Sequence, residues 1–503
     1  MNKTIEIRIK DGVIRGKEEA GSIAFKGIPF AKPPIGELRF KAPVSCGEWE
    51  GVLDCTEYGP RPVQVPPPWC MDRDQAIYDE DCLNLNVWTP AADSRKRPVI
   101  FNIFGGGFME GSNSELGSEG YRLTQKRDVV VVAPNYRVGA LGALYLRGIL
   151  GEEYRDSGNL ALLDQILALR WVQDNIHFFG GDPEHVVIMG QSAGAKSVMQ
   201  LMLAKESRGL FCGAVAMSGS LQAVKDTATM HNLATLFLEE IGIDQEHLQR
   251  IRQVSAEDIL KAQERMNKRF FKAETYGATA DGIHLPLDVE KALREGELAD
   301  VPLIMGHTKE ELFGSGDNME MDEVKRKLRW KFGDNDKIVL HRYQEKINVP
   351  GYQNVWDEIV TDYTYRQAYM RVAKKLAEQG RKFWLYRWDY RGGAYANHSS
   401  DNEALFNRTN ADKCANDPDM TAKVDQYIQN AILNFVETGK PSAEEEEPWR
   451  PYTTDNRERL LIDSVCTKEK LSLICDDEFP LQVFCLRNRY DLSDKNYQGG
   501  NYA

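Results

Sequence analysis

The sequence predicts an α/β fold: a large, mostly parallel central sheet with helices on both faces. Three observations predict it. From residue 84 onward, short apolar runs recur at Leu85–Trp88, Val99–Phe104, Val129–Ala133, Val186–Met189, Ala214–Met217, Leu303–Met305 and Phe383–Tyr386. Helical periodicity separates several of them, as over Leu160–Ile176 and Gly194–Leu203. The chain has 503 residues, 42% hydrophobic and 28% charged, so it can bury a large core. Strands that are apolar throughout must be covered on both faces, and parallel strands need crossovers between them.

The elements follow in order. Thr4–Ile9 alternates, with Ile5, Ile7 and Ile9 on one face, and reads as a strand. Asp11-Gly12 marks a turn, and Val13–Gly16 begins a return strand. Gly27–Pro34 and Gly59–Pro68 are rich in proline and read as irregular surface segments. The strand and helix pattern then takes over. Segments at about 223–300 and 318–380 are charged and helical in pattern, and they lie between strands. They are read as helical excursions that roof the sheet. Length alone suggests about three domains, but this arrangement makes residues 1–503 a single domain. Glu444–Glu447, between Pro441 and Pro448, reads as a solvated loop.

Composition narrows the function. A net charge of −13 offers no basic face for nucleic acid. No run of 18 apolar residues suggests a membrane span. The start, MNKTIEIRIK, lacks the apolar core of a secretory signal, so the expected compartment is the cytoplasm. The nine cysteines are odd in number and sparse, which does not describe a disulfide scaffold. Their spacing suggests no metal site. No cofactor is expected.

The strongest single feature is Val186-Val187-Ile188-Met189-Gly190-Gln191-Ser192-Ala193-Gly194. A buried strand runs into Gly-x-Ser-x-Gly, and a helical stretch follows at once. A sharp turn from strand to helix holds the serine backbone in a strained conformation, and only small neighbours leave room for it. The hydroxyl then stands at the carboxyl end of the sheet beside the first amides of a helix. A serine needs a base, and the base needs an acid that fixes its tautomer. In elbows of this kind the order along the chain is serine, acid, histidine. After Ser192 the histidines are His231, His247, His284, His307, His341 and His398. The first two and His341 lie on charged helical stretches, and His284 lies in a turn. His307 follows a strand run but precedes the best acids. His398 lies in a small-residue loop past the run Phe383–Tyr386, which makes it the candidate base. The acid candidates follow Leu303–Gly306 as Glu310 and Glu311, and position alone does not choose between them.

Upstream, Val99–Phe104 runs into Gly105-Gly106-Gly107-Phe108. Glycines after a strand let backbone amides approach a ligand. No Lys-Ser/Thr pair follows, so this is not a phosphate loop. The glycines fit one half of an oxyanion hole, with the amide of Ala193 in the other half.

Taken together, these segments resemble the type-B carboxylesterase/cholinesterase family of α/β-hydrolases. Gly27-Ile28-Pro29-Phe30-Ala31 with Leu38-Arg39-Phe40, Glu80 through Trp88, Asn135-Tyr136-Arg137-Val138-Gly139, Asn159–Gln165 and Phe179-Gly180-Gly181-Asp182-Pro183 stand in family order. The resemblance spans nearly the whole chain. Bacterial para-nitrobenzyl-esterase-like members are the closer likeness.

The resemblance implies an α/β-hydrolase fold and a serine esterase. It implies a triad of Ser192, Glu311 and His398, with oxyanion donors Gly106, Gly107 and Ala193. Asp401 and Phe406 match an acid and an aromatic that follow the family's histidine, and Ser218 matches a serine that supports the triad. Phe104 and Phe108 are candidate pocket residues. The implied partner is a small-molecule ester, with neither nucleic acid nor membrane.

Some positions depart from the family pattern. Phe104 stands where many members carry His or Tyr, and Leu312 replaces a usual Gly after the acid. The histidine loop is slightly longer than usual. Cys82 keeps a disulfide position while Pro62 lies near its usual partner's place, leaving Cys55 or Cys70 as substitutes. Trp69 is displaced from the choline-binding aromatic, so a choline esterase is not expected. Other acyl chemistry on the same site remains an alternative: amide, carbamate or lactone hydrolysis, or acyl transfer. A binding module of the family's adhesion type is a further one, disfavoured because all three triad residues persist.

Overall fold

A computed structural model describes residues 3–67, 70, 72, 74–115, 117–269, 275–312, 319–332, 336–343, 355–392, 395–408, 417–442 and 449–471. Trp69, the acidic run Glu444–Glu447 and Cys414, Cys475 and Cys485 lie outside them. The described chain divides into two compact units. One holds the residues up to Val215 with Lys225–Asp288, and the other holds Ala216–Val224 with the residues from Val289 onward.

In the first unit the long strands of the main sheet are β1 (Thr4–Arg8), β2 (Val13–Glu19), β3 (Ser22–Pro29), β4 (Asn84–Thr89), β5 (Arg97–Ile103), β6 (Val130–Pro134) and β7 (Gly181–Gln191), in the order β1-β2-β3-β4-β6-β5-β7. The first four joins are antiparallel, as the short turns between β1, β2 and β3 allow. β5 pairs in parallel with both β6 and β7. Val99, Ile100, Phe101 and Ile103 of β5 are each at most 1% exposed. Each such side chain contributes about 1.5–3 kcal/mol by leaving water.

The helix Leu160–Asn175 is buried on several sides through Leu162, Ile166, Leu169 and Val172. Its buried Asp164 is held by Arg137, whose Nη2 and Nε donate at 2.6 and 2.9 Å. Removing one partner of such a pair costs about 3–5 kcal/mol, because the other charge stays buried.

The chain passes to the second unit within β8 (Gly213–Met217). There β9 (Leu303–Thr308), β10 (Phe383–Trp388) and β11 (Glu458–Ile462) are parallel, and β12 (Thr467–Lys470) closes antiparallel on β11. Strand β9 runs past the apolar run to take in His307, because Thr308 still pairs with Trp388. The stretch from 223 to 300 holds helices Thr227–Glu240, Ala256–Arg269 and Val289–Arg294, and that from 318 to 380 holds Met321–Phe332, Asp336–Arg342, Val355–Val360 and Ala368–Glu378. Both are helical, as their periodicity predicts.

Candidate active site

Ser192 sits between β7 and the helix Ala193–Leu203, at φ 57° and ψ −120°. A non-glycine residue is strained there and persists only where its surroundings impose the conformation. The surroundings are tight. A Cβ on Gly194 would lie 2.1 Å from the Ile103 carbonyl oxygen, and one on Gly190 would lie 2.4 Å from the Gly194 carbonyl carbon. The Ser192 carbonyl accepts the Lys196 amide at 3.0 Å, so the serine caps the helix. Ala193 is the first helical residue, and first-turn amides have no partner inside their own helix.

The glycine loop lies against this elbow, since a Cβ on Gly105 would stand 3.2 Å from Ser192 Cβ. Gly106 has φ 103° and Gly107 φ 64°. The Gly106 carbonyl accepts the amides of Met109 and Glu110, closing a tight turn. Phe104 stacks on Tyr136 with ring centroids 4.1 Å apart, and the Tyr136 hydroxyl donates to the Phe104 carbonyl at 2.9 Å. Phe108 is buried at φ 61°, and its carbonyl accepts the Gly139 amide.

The second unit holds the acid and the histidine. His398 Nδ1 lies 2.5 Å from Glu311 Oε2, and the other carboxylate oxygen accepts the Thr308 amide at 2.9 Å. Glu311 is 1% exposed. The geometry separates the two acids that sequence position left open. Glu310 turns the other way: its carboxylate takes the Arg391 guanidinium and the Ala396 amide. The ring of Tyr365 lies 5.2 Å from the His398 ring. Tyr365 belongs to the π-helical turn Thr361–Gln367, where Thr361 Oγ1 accepts the Leu312 amide at 3.3 Å. The family's glycine position after the acid is thus occupied by a leucine with a capped amide.

Asp401 is fully buried and accepts the Tyr386 hydroxyl at 2.6 Å. Burial pushes its pKa up to about 6, against the Tyr386 hydrogen bond and with the negative charge of Glu311 adding to the rise. Ser218 is fully buried at φ 55°, its amide donates to the Gly306 carbonyl at 2.8 Å, and its hydroxyl finds no hydrogen-bond partner among the described residues. Tyr365 and Thr361 are absent from the residues the sequence singles out, because neither motif nor spacing marks them on a charged helical stretch.

Other motifs prove to be architectural. The Asn113 side-chain amide donates to Asn84 Oδ1 and its backbone amide donates to Asn135 Oδ1 at 2.8 Å, which ties the Glu80–Trp88 and Asn135–Gly139 segments together. Arg39 grips Glu80 and reaches the Arg252 carbonyl. Cys55, Cys70 and Cys82 are free thiols, so neither substitute forms the bridge that the family position implies. Burial pushes the Cys82 thiol well above its ordinary range. Among the described residues, no cluster is arranged to hold a metal ion and no helix is long and apolar enough to cross a membrane.

Comparison with known proteins decides the class. Residues 3–473 match the carboxylesterase family. The chain belongs to that family. It is 34% identical over 478 residues to the para-nitrobenzyl esterase of Bacillus subtilis (strain 168), covering 91% of this chain and 94% of that protein. It is 29% identical to the phenmedipham hydrolase of Pseudarthrobacter oxydans, covering 90% and 93%. The crystal structure of the Geobacillus stearothermophilus carboxylesterase EST55 superposes with a TM-score of 0.81 at 32% identity, covering 92% of this chain and 97% of the other. The predicted α/β-hydrolase fold is therefore the fold of this carboxylesterase, and the chain is a carboxylic ester hydrolase.

Proposed function

We propose that this carboxylesterase hydrolyses small-molecule carboxylic esters through an acyl-enzyme on Ser192. His398 takes the Ser192 proton as Oγ bonds to the ester carbonyl carbon. Glu311 orients the imidazole and stabilises its charged form. The amides of Gly106, Gly107 and Ala193 receive the negative charge that develops on the carbonyl oxygen. His398 then gives its proton to the leaving alcohol as the C–O bond breaks. Water repeats the sequence, releasing the acid and restoring Ser192.

The observation that carries this reading is the pairing of Glu311 with His398 at 2.5 Å. The strained φ of 57° at Ser192, beside a glycine turn, supports the nucleophile's role. On the same reading Ser218 steadies the acid from behind, Phe104 and Phe108 shape the acyl side, and the helical excursions wall the pocket of one catalytic domain.

Ser192→Ala tests it. Turnover of a p-nitrophenyl ester should fall by roughly a thousandfold or more. Turnover at the wild-type level would refute the assignment.

A further inference from the structure

His307 has the wrong chain order for a catalytic base, yet it is the most enclosed histidine near the acid. It is 1% exposed in β9. Its Nε2 lies 3.2 Å from Arg459 Nη1, and its Nδ1 lies 2.8 Å from the Thr308 carbonyl oxygen. A guanidinium nitrogen only donates, so Nε2 must accept. The single ring proton is then on Nδ1, which donates to Thr308. The neighbours thus fix both the tautomer and the neutral state.

The cations whose charge acts on the ring are Arg459 from β11, Arg366 from the π-helical turn and Arg387 from β10. Burial first, and then these cations, hold the imidazole well below its usual range. The ring of Tyr369 meets it edge-on at 5.2 Å.

The network continues on both sides. Arg459 Nε donates to Glu469 on β12 at 2.7 Å. Arg387 lies 3.6 Å from the same carboxylate and donates to Asp389, which in turn lies 3.5 Å from Lys309 Nζ. The Lys309 amide donates to the Trp388 carbonyl at 2.9 Å. Thr308 is therefore held by its carbonyl through His307, and its own amide holds Glu311 at 2.9 Å.

We propose that His307 is a positioning residue for the esterase reaction: a neutral imidazole that ties the Arg459–Glu469 pair to the Thr308 carbonyl and so fixes the turn that aims Glu311 at His398. The inference rests on the proposed role of Glu311.

The test uses the full chain and p-nitrophenyl acetate, with kcat, KM and Tm measured for His307→Leu, His307→Asn and His307→Gln. Asn places its amide near the Nδ1 position and can keep the bond to Thr308. Gln reaches the Nε2 position and can keep the partner of Arg459. The Leu variant should lose kcat on the order of tenfold, with KM within about twofold, because a small misplacement of the acid acts on the chemical step. Asn should recover more of kcat than Gln.

Wild-type kcat in a folded Leu variant, or better recovery by Gln than by Asn, overturns the proposal. If the Leu variant does not fold, the Asn and Gln pair decides. Ser192→Ala runs alongside. Its loss of turnover, with kcat undisturbed in the His307 variants, removes this inference alone, whereas its retention removes the underlying reading.

Discussion

Glu311 and His398 hold each other twice: the carboxylate Oε2 lies 2.5 Å from the ring Nδ1, and the His398 amide donates back to the Glu311 carbonyl at 2.9 Å. The backbone bond joins the acid turn to the histidine loop whatever the ring does. The side-chain contact is left to set tautomer and charge. Glu311→Gln should therefore keep the fold and lose kcat by about 10³–10⁴-fold, since an amide can present its N–H and favour the wrong tautomer. Glu310→Gln should leave kcat within about tenfold of wild type and lower stability by about 1–3 kcal/mol, because it weakens the grip on Arg391 and Ala396. Kinetics and thermal melts of both variants check this, and a reversed order of severity would move the acid.

The elbow has no spare volume. Gly194→Ala brings a Cβ to 2.1 Å from the Ile103 carbonyl oxygen, a backbone atom fixed in β5. The expected result is loss of turnover and a destabilisation of at least about 1–3 kcal/mol from overpacking. A variant with wild-type melting temperature and activity would contradict the tightness of the turn.

His284 stands between two carboxylates, with Glu206 Oε1 and Asp156 Oδ1 each 2.9 Å from a ring nitrogen. Carboxylates only accept, so both nitrogens must donate and the ring is charged. Burial opposes the charge, but the two hydrogen-bonded acids outweigh it and raise the pKa. The stabilisation is thus full below the ordinary value of about 6.5 and is lost as pH rises through the folded value. Wild type should melt above His284→Gln at pH 6, and the gap should narrow with rising pH. A gap that widens toward alkaline pH would contradict a charged ring.

Asp401 responds to pH in the same sense, but through the cost of burying its charge and not through ion pairing. Its native pKa of about 6 exceeds the unfolded value of about 3.9, so the native state binds the extra proton between them. Burying the carboxylate therefore destabilises above pH 6, and that penalty is relieved as pH falls toward 4. Asp401→Asn, whose amide oxygen can still accept from Tyr386, should gain about 2 kcal/mol relative to wild type between pH 4 and pH 7. Denaturant titrations at both pH values measure it, and a pH-independent difference would count against the shift.

Much of the site is local, and local features are legible. The elbow is one strand, one serine and one helix in sequence, so Gly190, Ser192 and Gly194 read directly. The glycine turn at Gly105–Gly107 is equally local. The acid was not. Glu310 and Glu311 are adjacent residues of one turn, and what distinguishes them lies far along the chain: Arg391 and Ala396 for one, His398 for the other. Resemblance points to Glu311, and the contacts show that it alone of the two carboxylates meets His398. The same holds for Tyr365 and Thr361, which meet His398 and Leu312 from a π-helical turn that no periodicity in the sequence announces.

By itself the sequence determined the glycine-flanked turn at Ser192, the alternation of strands and helices, and the family. All three depend on neighbours a few residues apart or on motif order. The tertiary structure decided how the buried charges are met. It left Cys55, Cys70 and Cys82 as thiols. It made His307 a neutral ring between Arg459 and Thr308, and His284 a charged one between Glu206 and Asp156. A histidine's proton is set by the donors and acceptors around it. Those partners come from residues as far as 152 positions away, joined only when the strands pair.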